Sequence, residues 1–489
     1  MKKSEKALIN LPKKTFIQVV CLLLGLLVLA TVLTYVIPSG EFGKQLDEAG
    51  NVMLDESGKE KIDYSVYIQD ETGSGIPIWK ALLSPFLVFA SSEGLALIVL
   101  SLFLFILSAA FQVMNDVGGI RSLVGAVARK FERRKYLLLA LLSFLFYCFG
   151  SFLGLFEEML TMLPVTAALC IVLGFDSFTG FLVSIIACGF GFAGAITNPF
   201  TVLLASNIID VNPLEHIWYR ILIFFVMFAL FLCFLFLYVK KLEKDPANSL
   251  TLEHDAAARG TLTEQDFASD SQKDKKARIV YSAFLLVALA LIIVCSSIEG
   301  IREGGYTVPI LAGYFLLFGI GAGLIASEDT KQVFRSFGKG FVGALPTLAF
   351  IALASAARYI LEEGRVLHTL AHGINSFVEG KSPIVVALII YLVVLVLEFF
   401  VSSSTAKAFL VMGLLSALNI GLSKPLMVLL YTFGDGYTNV IFPTSPVLLI
   451  SLSMIGLDYF KWVKKSVWLF LYNFLLVVLF IVLAVVIGY

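Results

Sequence analysis

Two stretches decide the fold: Phe190-Gly-Phe-Ala-Gly-Ala-Ile-Thr-Asn-Pro-Phe-Thr201 and Phe433-Gly-Asp-Gly-Tyr-Thr-Asn-Val-Ile-Phe-Pro-Thr-Ser-Pro446. Both open on Phe-Gly, contain Thr-Asn, and reach a proline nine or ten residues after the phenylalanine. Both also lie inside long apolar runs. Glycine and proline break a helix there, and unpaired backbone at membrane depth is tolerated only where protein or a water-filled cavity surrounds it. Taken singly, each stretch would pass as a span kinked for packing. Each, however, follows a long apolar segment with a polar middle, and that shared order makes the pair an internal repeat.

The surrounding composition is that of a membrane protein. Of 489 residues, 59% are hydrophobic and 15% charged, with 43 phenylalanines. Runs such as Phe16–Val36, Leu95–Phe111, Ile221–Tyr238 and Val467–Gly488 reach or approach the roughly 20 apolar residues needed to cross a bilayer. Residues 1–14 are basic, and the apolar stretch after them is longer than the core of a signal peptide and lacks a small-residue cleavage site, so it reads as the first span. Formal net charge is zero, and no basic stripe with interleaved aromatics suggests nucleic acid. The six cysteines lie in apolar runs without C-x-x-C spacing, as small buried hydrophobes. Gly189-x-Gly191-x-x-Gly194 matches a dinucleotide fingerprint, but no strand precedes it.

Lysine and arginine in short loops mark the cytoplasmic side. Residues 1–15 hold five Lys against one Glu, which places the N-terminus in the cytoplasm. Residues 38–78 carry nine acids against three Lys and fall outside, ending in an in-plane helix near Trp79–Phe89. Residues 115–135, with Arg121, Arg129, Lys130, Arg133, Arg134 and Lys135, return inside. The apolar stretch near 136–175 is interrupted by Gly150-Ser-Phe-Leu-Gly154 and Glu157-Glu158. The charge rule admits two full spans or one re-entrant hairpin; the short arms and polar tip favour the hairpin. A second hairpin near 383–421 begins at Ser382-Pro383, an N-cap with proline in the first turn, and turns at Ser402-Ser-Ser-Thr405. The expected chain is all-α, with about nine transmembrane helices and two re-entrant hairpins in an inverted repeat. Its first half is 1–240, its second 279–489, and residues 241–278, rich in charge and small polar residues, read as a solvated cytoplasmic linker. Broken helices of this kind meet near the bilayer midplane and present half-helix ends to a substrate and a coupling ion.

Ionisable residues inside spans are costly and therefore point to function. Glu157, Glu158, Glu398, Lys407 and Asp435 meet that criterion; Asp435 stands out because Gly434 and Gly436 keep the backbone open around its carboxylate. Thr197, Asn198, Thr438, Asn439, Thr444 and Ser445 supply neutral oxygens beside the helix breaks, and Ser403, Ser404 and Thr405 do so at the second tip. Lys407 has three roles open to it: neutralising a carboxylate, holding a substrate carboxylate, or standing in for a coupling cation. His368 and His372 lie four apart, but no third ligand accompanies them, and no metal site is expected. Gly319-x-Gly321-x-Gly323 reads as a close helix contact.

The Val36-Ile-Pro-Ser-Gly-Glu-Phe42 exit from the first span, the Glu157-Glu158 hairpin and the two broken-helix motifs resemble the YfcC-type carriers. These are grouped with the anaerobic C4-dicarboxylate carriers and, more distantly, with the aminobenzoyl-glutamate and divalent-anion/sodium symporter folds. The resemblance covers nearly the whole chain. It implies a homodimer whose mobile transport domain carries both hairpins against a scaffold, as an elevator. One departure is Ser402-Ser-Ser-Thr-Ala-Lys407, where family members usually show a Gly- and Gln-containing tip without a lysine.

The expected function is that of a secondary transporter or exchanger in the cell membrane, not of an enzyme. A basic amino acid of the arginine/ornithine type leads, because three acids near the tips suit a cationic side chain; a sodium- or proton-coupled C4-dicarboxylate carrier is the alternative. Na+ or H+ is the only cofactor-like species expected. An intramembrane enzyme would need a nucleophile with a base or a metal cluster, and a channel would show one continuous polar stripe.

Overall fold

The computed structural model describes residues 13–45, 52–53, 62–69, 75–91, 94–261, 272–298, 300–301, 306–327, 329–378, 380–401, 404–417 and 421–489. It is 82% helical. Among the described residues, eight helices are long and apolar enough to cross a membrane, and two of these, Lys135–Leu153 and Pro383–Phe400, are first arms of the hairpins.

The first half runs α1 (Lys13–Val36), strands β1 (Gly40–Lys44) and β2 (Ile62–Gln69), α2 (Ile78–Leu87), α3 (Gly94–Asp116) and α4 (Gly119–Phe131). Hairpin 1 follows with arms α5 (Lys135–Cys148) and α6 (Leu163–Val172). The first broken helix is α7 (Ser177–Ala193) and α8 (Pro199–Ile208), and α9 (Ile217–Lys244) closes the half. Next come α10 (Leu252–Thr261) and α11 (Gln272–Ser297). The second half repeats the first: α12 (Thr307–Ala326), α13 (Thr330–Gly343), α14 (Leu345–Glu363), α15 (Val366–Val378), hairpin 2 with arms α16 (Pro383–Phe400) and α17 (Ser404–Ala417), the second broken helix α18 (Lys424–Gly436) and α19 (Pro446–Met454), and α20 (Tyr459–Ile487).

The repeats interlock by exchanging partners. Helix α1 packs on α14 and its counterpart α12 packs on α3; likewise α2 packs on α14 and α13 on α3. Two of the three glycines expected at a close helix contact in α12 serve this one: a Cβ on Gly319 would lie 2.7 Å from that of Ala110 and one on Gly323 2.5 Å from Val113, whereas one on Gly321 would meet nothing within 4 Å. Small residues let helix backbones approach where lipid offers no hydrophobic drive. Asp116 then fastens α3 to α13, accepting from Ser336 at 2.7 Å. The hairpins, broken helices, α9 and α20 pack among themselves as a second group.

Hairpin 1 begins and ends at one face. In hairpin 1 the Lys135 ammonium lies 5.8 Å from the Phe175 ring centre, so the residues that open and follow the hairpin are neighbours. Tyr136 donates to Glu243 at 2.5 Å, placing that face at the end of α9. With 28 residues at 1.5 Å each, α9 is about 42 Å long, ample to cross the hydrocarbon core. At its other end Lys424, just after hairpin 2, donates to the Asp210 carbonyl at 3.0 Å. Hairpin 2 begins at Pro383 as expected, although the Ser382 hydroxyl makes no capping bond.

Two features depart from the sequence expectation. The acidic insert after α1 contains an antiparallel strand pair, Phe42 opposite Tyr67, with an irregularity after Phe42. His372 stacks on Tyr67 with ring centres 3.9 Å apart, and His368 accepts from the Phe42 amide at 3.4 Å, so both histidines seat this pair on α15. The second lies within the expected linker 241–278, of which residues 241–261 and 272–278 are described. Helix α9 continues to Lys244, α11 starts at Gln272, and residues 245–261 between them dock on the first broken helix through buried Thr251 and Asp255. Asp255 accepts from the Ser177 amide at 2.9 Å and the Thr251 hydroxyl at 2.7 Å. Asp176 accepts from the Thr179 amide at 2.9 Å, from Ser249 at 2.8 Å and from Tyr238. Two carboxylates thus satisfy amides at the start of α7, where the helix dipole favours negative charge.

Burial alone would raise the Asp255 carboxyl, but hydrogen bonds from His254, Ser177 and Thr251 hold it below its ordinary 3.8. A depressed folded value gives stability that is present above pH 3.8 and lost as pH falls through the lower folded value. Asp255→Asn should therefore cost about 1.5–3 kcal/mol at neutral pH and remove part of the acid dependence of thermal unfolding below pH 4. A wild-type acid profile in the variant would show that the docked strap does not depend on this carboxylate. A second prediction concerns the hairpin fold. Arg134→Cys and Val172→Cys should be labelled from the same membrane side as Lys244→Cys, and Asn212→Cys and Lys381→Cys from the opposite side. Labelling of Val172→Cys with the second pair would mean that hairpin 1 crosses.

Candidate functional site

The first break is closed by its own hairpin. Asn198 caps α8, its side-chain oxygen accepting from the Phe200 amide at 2.9 Å while its amide donates to the Gly150 carbonyl at 2.9 Å. Ser151 at the hairpin tip donates to the Gly194 carbonyl at 2.8 Å and accepts from the Ile196 amide at 3.1 Å. This approach needs glycine: a Cβ on Gly191 would lie 2.1 Å from the Tyr147 carbonyl oxygen. Thr197 donates weakly to Phe152 at 3.4 Å. Asn198 and Ser151 are thus occupied in satisfying backbone that the break leaves open.

The second break is organised around charge. Lys407, fully buried on α17, touches the Glu398 carboxylate from α16, lies 2.7 Å from Asp435 Oδ1 on α18, and donates to the Val401 carbonyl at 3.2 Å. Ser404 donates to the other oxygen of Asp435 at 2.9 Å and accepts from the Tyr431 hydroxyl with its backbone carbonyl. Isolated charges at this depth would be prohibitively costly, and mutual pairing is the condition for their presence. Around them Asn439 donates to the Asp435 carbonyl at 2.9 Å and Thr438 to the Gly434 carbonyl at 3.0 Å. Ser445 caps α19. A Cβ on Gly436 would lie 2.5 Å from Ala193 Cα, so the two broken helices touch at this point.

A cavity of about 360 Å³ lies between these elements and α14. Glu157, Glu158, Ser404, Asn439, Thr444 and Ser445 line it, with Arg358 and Glu362 from α14 on the far wall. The Thr444 hydroxyl is buried without a hydrogen-bond partner among the described residues. Arg358 pairs with Glu362, Nη2 to Oε1 at 2.7 Å and Nε to Oε1 at 2.8 Å. Among the described residues, no lysine or arginine pairs with Glu157 or Glu158. Lys407 has no exposed surface and does not line the cavity.

The expected residues therefore separate. Glu157, Glu158, Ser404, Asn439, Thr444 and Ser445 share the cavity, whereas Lys407, Asp435 and Glu398 form the buried cluster beside it. Thr438, Thr197 and Asn198 bond to backbone. Ser403 lies outside the described residues, as does the side chain of Thr405. Arg358 was not legible as a site residue: it sits near the end of an apolar run close to Glu362-Glu363, where it reads as part of a span boundary. Its membership in a 19-residue helix, one turn before Glu362, is the signal that could have found it.

Paired broken helices, two hairpins and a polar cavity enclosed by apolar spans define a membrane transporter. A model of the C4-dicarboxylate anaerobic carrier family, DcuC, matches residues 16–486, and the chain belongs to this family. It is 26% identical over 402 residues to YfcC of Escherichia coli (strain K12), covering 79% of this chain and 78% of the relative; the relative's name provisionally assigns it basic amino acid antiport. An uncharacterized protein of Haemophilus influenzae is 25% identical over 368 residues, 74% of this chain and 70% of the relative. Among solved structures, MtrF of Neisseria gonorrhoeae, from a class described as antimetabolite efflux pumps, aligns with a TM-score of 0.42 at 14% identity over 95% of this chain and 94% of its own. The YdaH transporter of Alcanivorax borkumensis gives 0.41 at 15% over 96% and 99%. Likeness at that level is too slight to bear on the site.

The cluster makes a stability prediction. Lys407→Ala leaves two buried carboxylates without a counter-charge and should cost about 3–5 kcal/mol in sodium-free buffer. Asp435→Asn leaves one lysine with one glutamate and should be milder. Thermal unfolding of purified variants checks the order; equal melting of Lys407→Ala and wild type would contradict it.

Proposed function

We propose that the protein is a secondary carrier that exchanges small cationic metabolites, basic amino acids of the arginine/ornithine type, across the cell membrane. The observation that carries this reading is the sign of the cavity. Glu157 and Glu158 face it, its arginine is tied to Glu362, and the nearby lysine is sequestered. A cationic side chain would meet the paired glutamates, while Thr444, Ser445 and Asn439 offer neutral groups to the rest of the substrate. A lower dielectric than bulk water strengthens such pairing. The name of the Escherichia coli relative agrees with this choice.

Transport proceeds by an elevator movement of the hairpins, broken helices, α9 and α20 against α1–α3 and α12–α14. The cavity supports this, because its walls come from both groups. The protein works as a homodimer with its N-terminus in the cytoplasm, where the basic face at Lys135, Lys241 and Lys465 also lies. Proton- or sodium-coupled carriage of a C4-dicarboxylate is the second reading; the family description and the presence of Arg358 in the cavity favour it. It would require Arg358 to leave Glu362.

In proteoliposomes, Glu158→Gln should raise KM for arginine by the loss of a charge-assisted bond of about 1.5–3 kcal/mol, roughly one to two decades. Asp435→Asn should remain folded and lose transport. If Glu158→Gln leaves KM for arginine unchanged while Arg358→Gln abolishes dicarboxylate uptake, the dicarboxylate reading replaces this one.

A further inference from the structure

We propose that Lys407 is a resident cation: its ammonium fills a monovalent-cation site made by Glu398, Asp435 and the Val401 carbonyl, and a chain without that ammonium takes up sodium there. Transport in this proposal rests on the carrier reading above; the cation site does not.

The shell around the nitrogen is what a hard cation takes. Two carboxylates and a backbone carbonyl supply oxygen ligands and no nitrogen or sulfur. The carbonyl belongs to Val401, which caps the C-terminal end of α16, where the helix dipole adds negative potential. Ser404 holds Asp435 in place at 2.9 Å. All three charged side chains are buried, Lys407 and Asp435 at 0% exposed and Glu398 at 2%, so bulk ions do not screen them. The shell carries two negative charges against one positive, and removal of the positive one leaves a charge deficit that the membrane interior does not tolerate.

The position links this site to the cavity. Ser404 lines the cavity and bonds Asp435, while Lys407, one turn further along α17, sits behind it. Half-helix ends and freed carbonyls at a membrane-embedded break are where secondary carriers hold coupling cations. Here the chain fills that place covalently, so no sodium ion need arrive before substrate is carried.

Thermal unfolding of detergent-purified protein tests the site without any substrate. Wild type should melt at the same temperature in sodium chloride and in choline chloride of equal ionic strength. Lys407→Ala should melt several degrees higher in sodium chloride than in choline chloride, with potassium chloride measuring selectivity. Equal melting of Lys407→Ala in sodium and choline would overturn the proposal, as would stabilisation that follows falling pH and ignores sodium, since protons would then satisfy the carboxylates. If Lys407→Ala yields no folded protein in either salt, Lys407→Ala/Glu398→Gln, with one carboxylate left, decides in the same assay: a sodium-dependent rise supports the site and its absence refutes it. Uptake adds a separate arm. Wild type should carry its substrate equally well with choline in place of sodium, and Lys407→Ala should become sodium-dependent; a wild-type requirement for sodium would refute the resident-cation role. Failure of cationic uptake with sodium-responsive melting intact would instead count against the carrier's substrate.

Discussion

Charge inside a bilayer must be paired, and in this protein that constraint selects the contact at Lys407. Three chain segments from the second half meet there because none can keep its charge alone: the end of one hairpin arm brings Glu398, the start of the other brings Lys407, and the broken helix brings Asp435. The ion pairs hold hairpin 2 on the second broken helix. Gly436 against Ala193 then brings that helix onto the first, where Ser151 and Asn198 hold hairpin 1 by hydrogen bonds. A cavity between this body and α14 follows from the assembly.

The two repeats share a plan and divide the work. In the first, hydrogen bonds from the hairpin tip occupy the polar groups of the break, leaving the glutamates Glu157 and Glu158 to face the cavity. In the second, the ion cluster joins the two hairpin arms to the broken helix while Thr444 and Ser445 face the cavity. The docked stretch around Asp176 and Asp255 ties the start of α7 to the chain segment that joins the halves. His254 packs against Gly456, at the exit of the second broken helix, so one strap touches both repeats. Arg358 stands on the opposite wall, on a helix that packs with α1 and α2.

Much of this was legible because glycine, proline and charge have few uses inside an apolar run. The broken helices were readable from Gly434, Gly436, Pro199 and Pro446, and the hairpins from polar tips that a lipid-facing span would not bear. What escaped depends on partners distant in sequence. The pairing of Phe42 with Tyr67 spans a charged insert whose composition resembles any exterior loop. The stretch around Asp255 looks solvated because its residues are polar; Thr251 and Asp255 are nonetheless buried because α7 offers amides that need acceptors. Charge counting could place Lys407 near carboxylates, but only geometry separates a lysine facing a substrate from one enclosed by Glu398 and Asp435.

The sign of the transported species is the central claim, and counterflow measures it most directly. Proteoliposomes preloaded with unlabelled ornithine and diluted into labelled arginine should accumulate label transiently, while vesicles preloaded with a C4-dicarboxylate should accumulate neither labelled arginine nor labelled dicarboxylate. Accumulation of labelled dicarboxylate, with arginine excluded, would contradict a cavity lined by Glu157 and Glu158, two carboxyl groups that no lysine or arginine among the described residues pairs with.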